Sequence, residues 1–259
     1  MIINEYQYAK KIIEDKEIPK GVSIKKLISY IARYFYNDNK DKKPIEFRKF
    51  IFEKMKQYNL DSGYYRESLY SNYVDTFCKK LLRGKISYKL ANPISVTLTK
   101  KEIDEIKKAA TEKHQKLLFT MYVLAKTRDQ SNGWINYSLR EIFQYANINV
   151  VRKEKILMLN DLKNWGLIET PVSYTKVAFK VKYHKETKKN PIVFNITDFN
   201  NIGNQYVVTI RDGWKMCECC GRLIKIKGRA NKYCNKCATK IQYQKINEYH
   251  ERNKNFTKN

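Results

Sequence analysis

The chain has 259 residues, enough to bury at least one sizeable core and to divide into two or three compact units. Fifty-two Lys and Arg against twenty-six Asp and Glu leave a formal charge of +26, far beyond what solubility needs, so a polyanionic partner is implied, with nucleic acid the default. No apolar run approaches a transmembrane span, and neither a lipidation motif nor a signal peptide is visible, so membrane is set aside as a partner and a cytoplasmic protein is expected. Abundant Lys, Asn, Ile and Tyr beside few Gly and Pro is also the residue usage of an AT-rich genome. Where the charge sits therefore counts for more than its total.

Residues 1–90 read as a helical domain without a catalytic motif. Tyr6 to Ile13 predicts a short helix, and Ser23 can cap a second in which Ile24, Leu27, Ile28, Ile31, Ala32 and Tyr34 form an apolar stripe. Pro44 suits the first turn of a third helix with Phe47, Phe50, Ile51 and Met55 inward. Gly63 to Leu82 predicts a fourth, ended by Gly84, with Val74, Phe77 and Leu81 on its apolar side. Cys78 in that helix reads as a core thiol, since no histidine lies near it in sequence.

Lys85 to Val96, with Asn92-Pro93, reads as an extended connector that opens a second domain at residues 91–200. Thr99-x-x-Glu102 is a capping box, and Gln115 to Thr127 continues as a strongly apolar helix. Trp134 to Asn136 predicts a short strand. Ser138-x-x-Glu141 is a second capping box, opening a helix with Ile142, Phe143 and Ala146 inward. After the polar break Asn147-Ile148-Asn149, a further helix runs from about Val151 to Asn164 and stops at Gly166. Ile156, Leu159, Leu162 and Trp165 are expected to face the core, which leaves Arg152, Lys153, Lys155 and Lys163 outward.

Leu167-Ile168-Glu169 predicts a strand. Val177, Phe179, Val181 and Tyr183 alternate with Lys176, Lys180, Lys182 and His184, the period of a half-buried strand. Ile192, Phe194 and Ile196 are expected to return beside it as a hairpin, with Lys185, Lys188 and Lys189 at a charged tip. Two capped helices, then a cationic hairpin, resemble the winged-helix fold over roughly residues 100–200. The phrase Asn164-Trp165-Gly166-Leu167-Ile168-Glu169 is similar to the helix-to-wing junction of that family. The resemblance implies DNA contact through Arg152, Lys153, Lys155 and Lys163 of the second helix and through Lys180, Lys182, Lys185, Lys188 and Lys189 of the hairpin. Some winged helices bind RNA or proteins instead.

Residues 201–259 form the third expected domain, beginning with a strand at Tyr206 to Ile210. Cys217-x-x-Cys220, thirteen residues, then Cys234-x-x-Cys237 is the spacing of a tetrahedral four-cysteine zinc site. Four sulfur ligands leave no open position for water or substrate, so the ion expected there, one Zn2+, is structural. Cys219 reads as a spectator thiol, with exchange for a neighbouring ligand as the alternative. Leu223 to Ile226 and Ala230 to Tyr233 are expected to pair across a turn at Lys227-Gly228, and a helix follows from about Ala238. Knuckle, hairpin and helix resemble a treble-clef finger, with a zinc ribbon as near neighbour. From Trp214 onward, twelve Lys or Arg face three Asp or Glu, and Arg222, Lys225, Arg229 and Lys232 are expected to meet phosphates.

The expected fold is therefore mainly α with small β: a helical front, a winged-helix-like middle and a terminal finger. Asn164 to Ile168, Cys217 to Gly221 and Tyr233 to Ala238 resemble uncharacterised proteins of Gram-positive bacteriophages and mobile elements, which implies a bacterial or phage-infected cell. The leading function is a zinc-containing DNA-binding regulator or replication-accessory factor. The alternative is an anti-defence or host-takeover protein that grips a host ribonucleoprotein, its guide RNA or a host enzyme. Catalysis is not expected: His114, His184 and His250 stand at no ligand or base–nucleophile spacing, and no Gly-rich phosphate loop is present.

Overall fold

The computed structural model describes residues 3–14, 22–39, 43–58, 65–127, 133–135, 137–170, 178–182, 184–226 and 231–256, with Asp38 and 252–256 as backbone only. It divides into two compact units, Met1–Ile94 and Ser95–Asn259. No helix among the described residues is long and apolar enough to cross a membrane.

The described residues of the first unit form four helices, α1 (Glu5–Glu14), α2 (Ile24–Asp38), α3 (Pro44–Gln57) and α4 (Glu67–Leu82). The hydroxyl of Ser23 accepts the Lys26 N–H at 3.4 Å, and Pro44 opens α3, where its missing N–H costs nothing. The stripe of Leu27, Ile28 and Ile31 meets Phe47, Ile51 and Met55 of α3 and Val74, Phe77 and Leu81 of α4 in one core. Each such side chain contributes on the order of 1.5–3 kcal/mol by leaving water, and this offsets the entropy of ordering four short helices. Cys78 is buried in that core, and burial pushes its thiol up to about 11, the setting of an unreactive packing residue.

The second unit is organised around α6. In order it contains β1 (Val96–Thr99), α5 (Lys100–Lys107), α6 (Glu112–Lys126), β2 (Trp134–Ile135), α7 (Leu139–Tyr145) and α8 (Arg152–Asn164). There follow β3 (Ile168–Glu169), β4 (Phe179–Val181), β5 (Ile192–Ile196), α9 (Ile202–Ile210), β6 (Trp214–Met216), β7 (Leu223–Lys225) and α10 (Asn235–Phe256). Every residue of α6 from Lys116 to Ala125 is buried, as a helix enclosed on all sides must be. It packs against α5, α7, α8, α9 and strands of two sheets. Glu102, wholly buried in α5, accepts the Thr99 N–H at 2.9 Å and pairs with the Lys126 ammonium at 2.7 Å, tying the two helices together.

Four expectations are corrected here. Phe179–Val181 and Ile192–Ile196 do not form a hairpin with each other. Instead β4 lies between β2 and β3 in an antiparallel sheet of order β2-β4-β3, and β5 pairs with β1 in a separate ribbon. An apolar face that repeats every second residue specifies a strand but not its partner, and β1 lies almost a hundred residues earlier. Residues 185–190 are therefore not the tip of a β4–β5 hairpin, although Thr187 and Asn190 bridge a tight turn of their own. Asn190, buried, accepts the Lys101 N–H at 2.9 Å and donates to the Lys185 carbonyl at 2.8 Å, so this loop closes over the start of α5.

The segment Tyr206 to Ile210 is helix rather than strand. Its β-branched residues favour extended chain, but Ile202, Tyr206 and Val207 fall on one helical face and bury it against α6, where Tyr206 meets Phe119 at 5.1 Å. Gly203 makes that seat possible, because a β-carbon there would collide with the Ala146 carbonyl at the end of α7.

In the finger, β7 pairs with β6, the strand ahead of the first knuckle, and residues 231–233 form no strand. The hairpin thus encloses the knuckle instead of separating the two. Finally, Ile156 and Trp165 of the α8 region are 45% and 41% exposed, and Met158 takes the buried position expected of Ile156.

Candidate metal centre and cationic surface

The four cysteines converge from two elements. Cys217 and Cys220 lie in the turn between β6 and β7, where Gly221 N–H donates to the Cys217 carbonyl at 2.8 Å and Cys217 N–H donates to the Arg222 carbonyl at 2.8 Å. Gly221 has φ +66°, a left-handed conformation that L side chains rarely adopt and glycine adopts freely. Cys234 and Cys237 stand at the start of α10, as their position ahead of an uninterrupted helical stretch implies.

The four sulfurs lie within 4.8 Å of one another, and Cys220 Sγ is 3.8 Å from Cys234 Sγ. A tetrahedron with metal–sulfur bonds of about 2.3 Å has edges of about 3.8 Å, so the shell already has the size of a thiolate-bound ion. None of the six cysteines forms a disulfide. Cys219 lies between the first pair, exposed and outside the cluster, consistent with a spectator thiol.

The electrostatics of the cluster ask for a cation. Burial raises the Cys217 thiol, but the backbone N–H groups of Cys234, Cys220 and Cys219 outweigh it and bring the group down to about 6. The sulfurs of Cys220 and Cys234 push Cys237 upward through the hydrogen bonds it shares with them, which favour its protonated form. A dication at the centre removes that conflict and ionises all four.

A buried polar chain fixes the finger to the rest of the second unit. The Lys116 ammonium donates to Asn204 Oδ1 at 2.7 Å and to the Asn147 carbonyl at 3.3 Å. Asn204 Nδ2 donates to the Gly221 carbonyl at 3.0 Å, and Asn147 Nδ2 donates to Asn201 Oδ1 at 2.8 Å. Burial brings Lys116 down to about 8 against a weak upward pull from Glu112. Neither Lys116 nor Asn204 stood out in the sequence. A single lysine inside an apolar helix was the only available signal.

The residues expected to meet nucleic acid are distributed as follows. Arg152 and Lys153 are exposed in the first turn of α8, and Lys163 is exposed near its end. Lys155 is half-buried, its ammonium 5.5 Å from the centre of the Phe143 ring. Lys180 is drawn into a pair with Glu169 at 3.2 Å across β3 and β4, which uses much of its charge locally. Lys182, Lys185, Lys188 and Lys189 are exposed on the chain after β4. Lys232 is exposed, while Arg222 and Lys225 border a cleft of about 340 Å3 beside the start of α10. Arg229, Val177 and Tyr183 lie outside the described residues.

Arg222 also borders a second, larger cleft of about 810 Å3, and Lys155 lines the same space. Arg140 of α7, absent from the sequence-derived set, lines it as well. Comparison with known proteins finds no match of this chain to a protein-family model, to a curated protein or to a solved structure.

Proposed function

We propose that the protein is a zinc-containing, nucleic-acid-binding protein that acts on duplex DNA as a regulator or replication-accessory factor of a phage or mobile element. The observation that supports this reading best is the order α6-β2-α7-α8-β3-β4 with its β2-β4-β3 sheet, which resembles the element order of a winged helix. On that reading α8 is the recognition helix. Its first turn offers Arg152 and Lys153, both exposed and without a carboxylate partner among the described residues. On that reading residues 185–190, which follow β4 instead of joining it to β3, are not the wing.

Zinc is the metal of choice because four thiolates in a closed tetrahedral shell suit a soft-tolerant d10 ion with no geometric demand of its own. The closed shell gives the ion a structural task and the protein a binding role. The charge of +26 supplies the sequence-independent part of affinity, and the finger supplies Arg222 and Lys225 to it.

The test is fluorescence anisotropy of the zinc-loaded protein with a random-sequence DNA duplex at several salt concentrations. Steeply salt-dependent binding is expected, and Arg152→Ala/Lys153→Ala weakens it while lowering the steepness by about 2 on a log–log plot. Affinity and salt dependence unchanged in that variant would reject α8 as the reading helix. Absence of duplex binding would reject the function.

A further inference from the structure

We infer that the cleft between the first knuckle and the α7–α8 turn is a seat for a backbone phosphate of the bound nucleic acid, held by Arg140, Lys155 and Arg222. The inference rests on the nucleic-acid reading and adds to it the place where the finger and the helical body grip one strand together.

The cleft measures about 810 Å3, room for a phosphodiester and part of the adjoining sugars. Its walls include α7 through Arg140 and Gln144, the start of α8 through Lys155, and the knuckle through Arg222. Lys116 lies at its inner wall, and no carboxylate lines it. Among the described residues, Arg140, Lys155 and Arg222 have no ion-pair partner. Cys220 of the metal cluster is the one acidic group that borders this space among the described residues, and its charge is committed to the ion, so an anion set among the four cations relieves their mutual repulsion.

The amide side chains of Gln144, Asn147, Asn149 and Asn201 add hydrogen-bonding groups to the rim. The Lys155 ammonium sits 5.5 Å from the centre of the Phe143 ring, a cation–π contact that keeps it at the wall of the cleft. Two arginines suit a phosphate in particular, because the guanidinium fork matches its oxygens in pairs.

The walls also keep their spacing. Lys116, Asn204 and Gly221 are joined by hydrogen bonds of 2.7 and 3.0 Å, so the Arg222 side is anchored to the same helix that supports α7 and α8. A seat built across two elements needs such an anchor to bind without first ordering itself. Arg222 also borders the 340 Å3 cleft with Lys225 and Lys236, so a strand leaving the first seat meets further cations along the finger.

The experiment compares the zinc-loaded wild type with Arg140→Gln/Arg222→Gln on one random-sequence DNA duplex, using Lys79→Gln/Lys80→Gln of α4 as a control that removes equal charge elsewhere. Zinc content is measured for each protein. The Arg222 contact to the knuckle runs through its carbonyl, so Arg140→Gln/Arg222→Gln is expected to keep its metal. Between 50 and 200 mM salt that variant is expected to lose roughly tenfold less affinity than wild type, the signature of about two missing phosphate contacts, while the control follows wild type. Equal behaviour of all three proteins overturns the cleft while leaving the nucleic-acid reading standing. An equal change in both double variants assigns the effect to net charge and overturns it too. Failure of wild type to bind any duplex removes the reading itself, and the seat with it.

Discussion

Asn204 of α9 donates its side-chain amide to the carbonyl of Gly221 in the first knuckle at 3.0 Å, and its own oxygen accepts from the buried ammonium of Lys116. One side chain therefore connects the central helix of the second unit to the turn that carries half of the metal shell. Replacing it by alanine leaves Lys116 with one weaker acceptor and the Gly221 carbonyl with none from α9. An unpaired buried group costs about 1–3 kcal/mol, more when charged. Asn204→Ala is expected to lower the urea midpoint of the second unit and to speed metal release to a chelator, followed with a colorimetric dye. Wild-type release rates would show that the knuckle stands without this link.

Lys116 itself gives a pH dependence. Its folded-state pKa is brought down to about 8, whereas an unfolded lysine titrates near 10.5. Below pH 8 both states hold the proton and the full cost of burying the charge is present. Between pH 8 and 10.5 the unfolded chain binds more protons, so this group favours folding more as pH rises. The gain is limited to roughly 3 kcal/mol and ends near the unfolded value. Wild type is expected to gain stability relative to Lys116→Met between pH 7 and 10 in paired urea melts, and a difference that does not change with pH would remove the lysine as its source.

The metal shell predicts a sharp contrast among neighbouring thiols. Cys217→Ser or Cys234→Ser removes one sulfur from a four-cysteine cluster that could hold a metal ion, and since such binding is coupled to folding, stoichiometric metal is expected to be lost. Cys219→Ser, one residue from two ligands but outside the cluster, is expected to retain one ion per chain. Native mass spectrometry reads both results directly. Retention in Cys217→Ser together with loss in Cys219→Ser would mean that Cys219 is a ligand.

Much of this was legible from residue spacing because the forces are local. Ser138 and Glu141 announce a helix start through two hydrogen bonds within three residues, and the structure has both. The cysteine pairs announce a cluster because two intervening residues let both sulfurs turn to one centre. What was not legible depends on distant partners. Ile192 to Ile196 alternates as a strand whether it pairs with β4 or with β1, and only the three-dimensional packing selects β1. Tyr206-Val207-Val208 reads as extended chain until α6 supplies a surface for its helical face. Arg140 stands in no sequence motif, and it lines one cleft with Lys155 and Arg222, neither of them near enough in sequence to suggest it.

The pair Glu102–Lys126 predicts a different kind of failure. Glu102 is completely buried and accepts from the Thr99 N–H, the Lys126 ammonium and the His184 N–H at 3.3 Å. Glu102→Ala leaves the Lys126 ammonium its bond to the Thr97 carbonyl at 2.8 Å but takes away its carboxylate, and removal of one partner of a buried ion pair costs about 3–5 kcal/mol. Glu102→Gln keeps the shape but loses the charge, so its loss is expected to be smaller. Urea unfolding should rank wild type, Gln, then Ala. Equal stability of wild type and Glu102→Ala would show that this pair contributes nothing net.

Gly203 separates helix propensity from packing. Alanine is favoured over glycine within helices by about 1 kcal/mol, so on propensity alone Gly203→Ala should stabilise α9. Here the new methyl group would meet the Ala146 carbonyl oxygen and carbon and the Lys116 stem, two of them backbone atoms that cannot swing aside. Relief requires α9 to move away from the end of α7, which stretches the Asn147–Asn201 hydrogen bond and draws Asn204 from Lys116. A net destabilisation of about 1–3 kcal/mol is expected, the range for overpacking a filled interior. The shift should also reach the finger, because Asn204 is the side chain that holds Gly221. Metal release from Gly203→Ala is therefore expected to quicken, as in Asn204→Ala, and the double variant should be little worse than either alone. Additive effects in that double-mutant cycle would mean that the two residues act through separate routes.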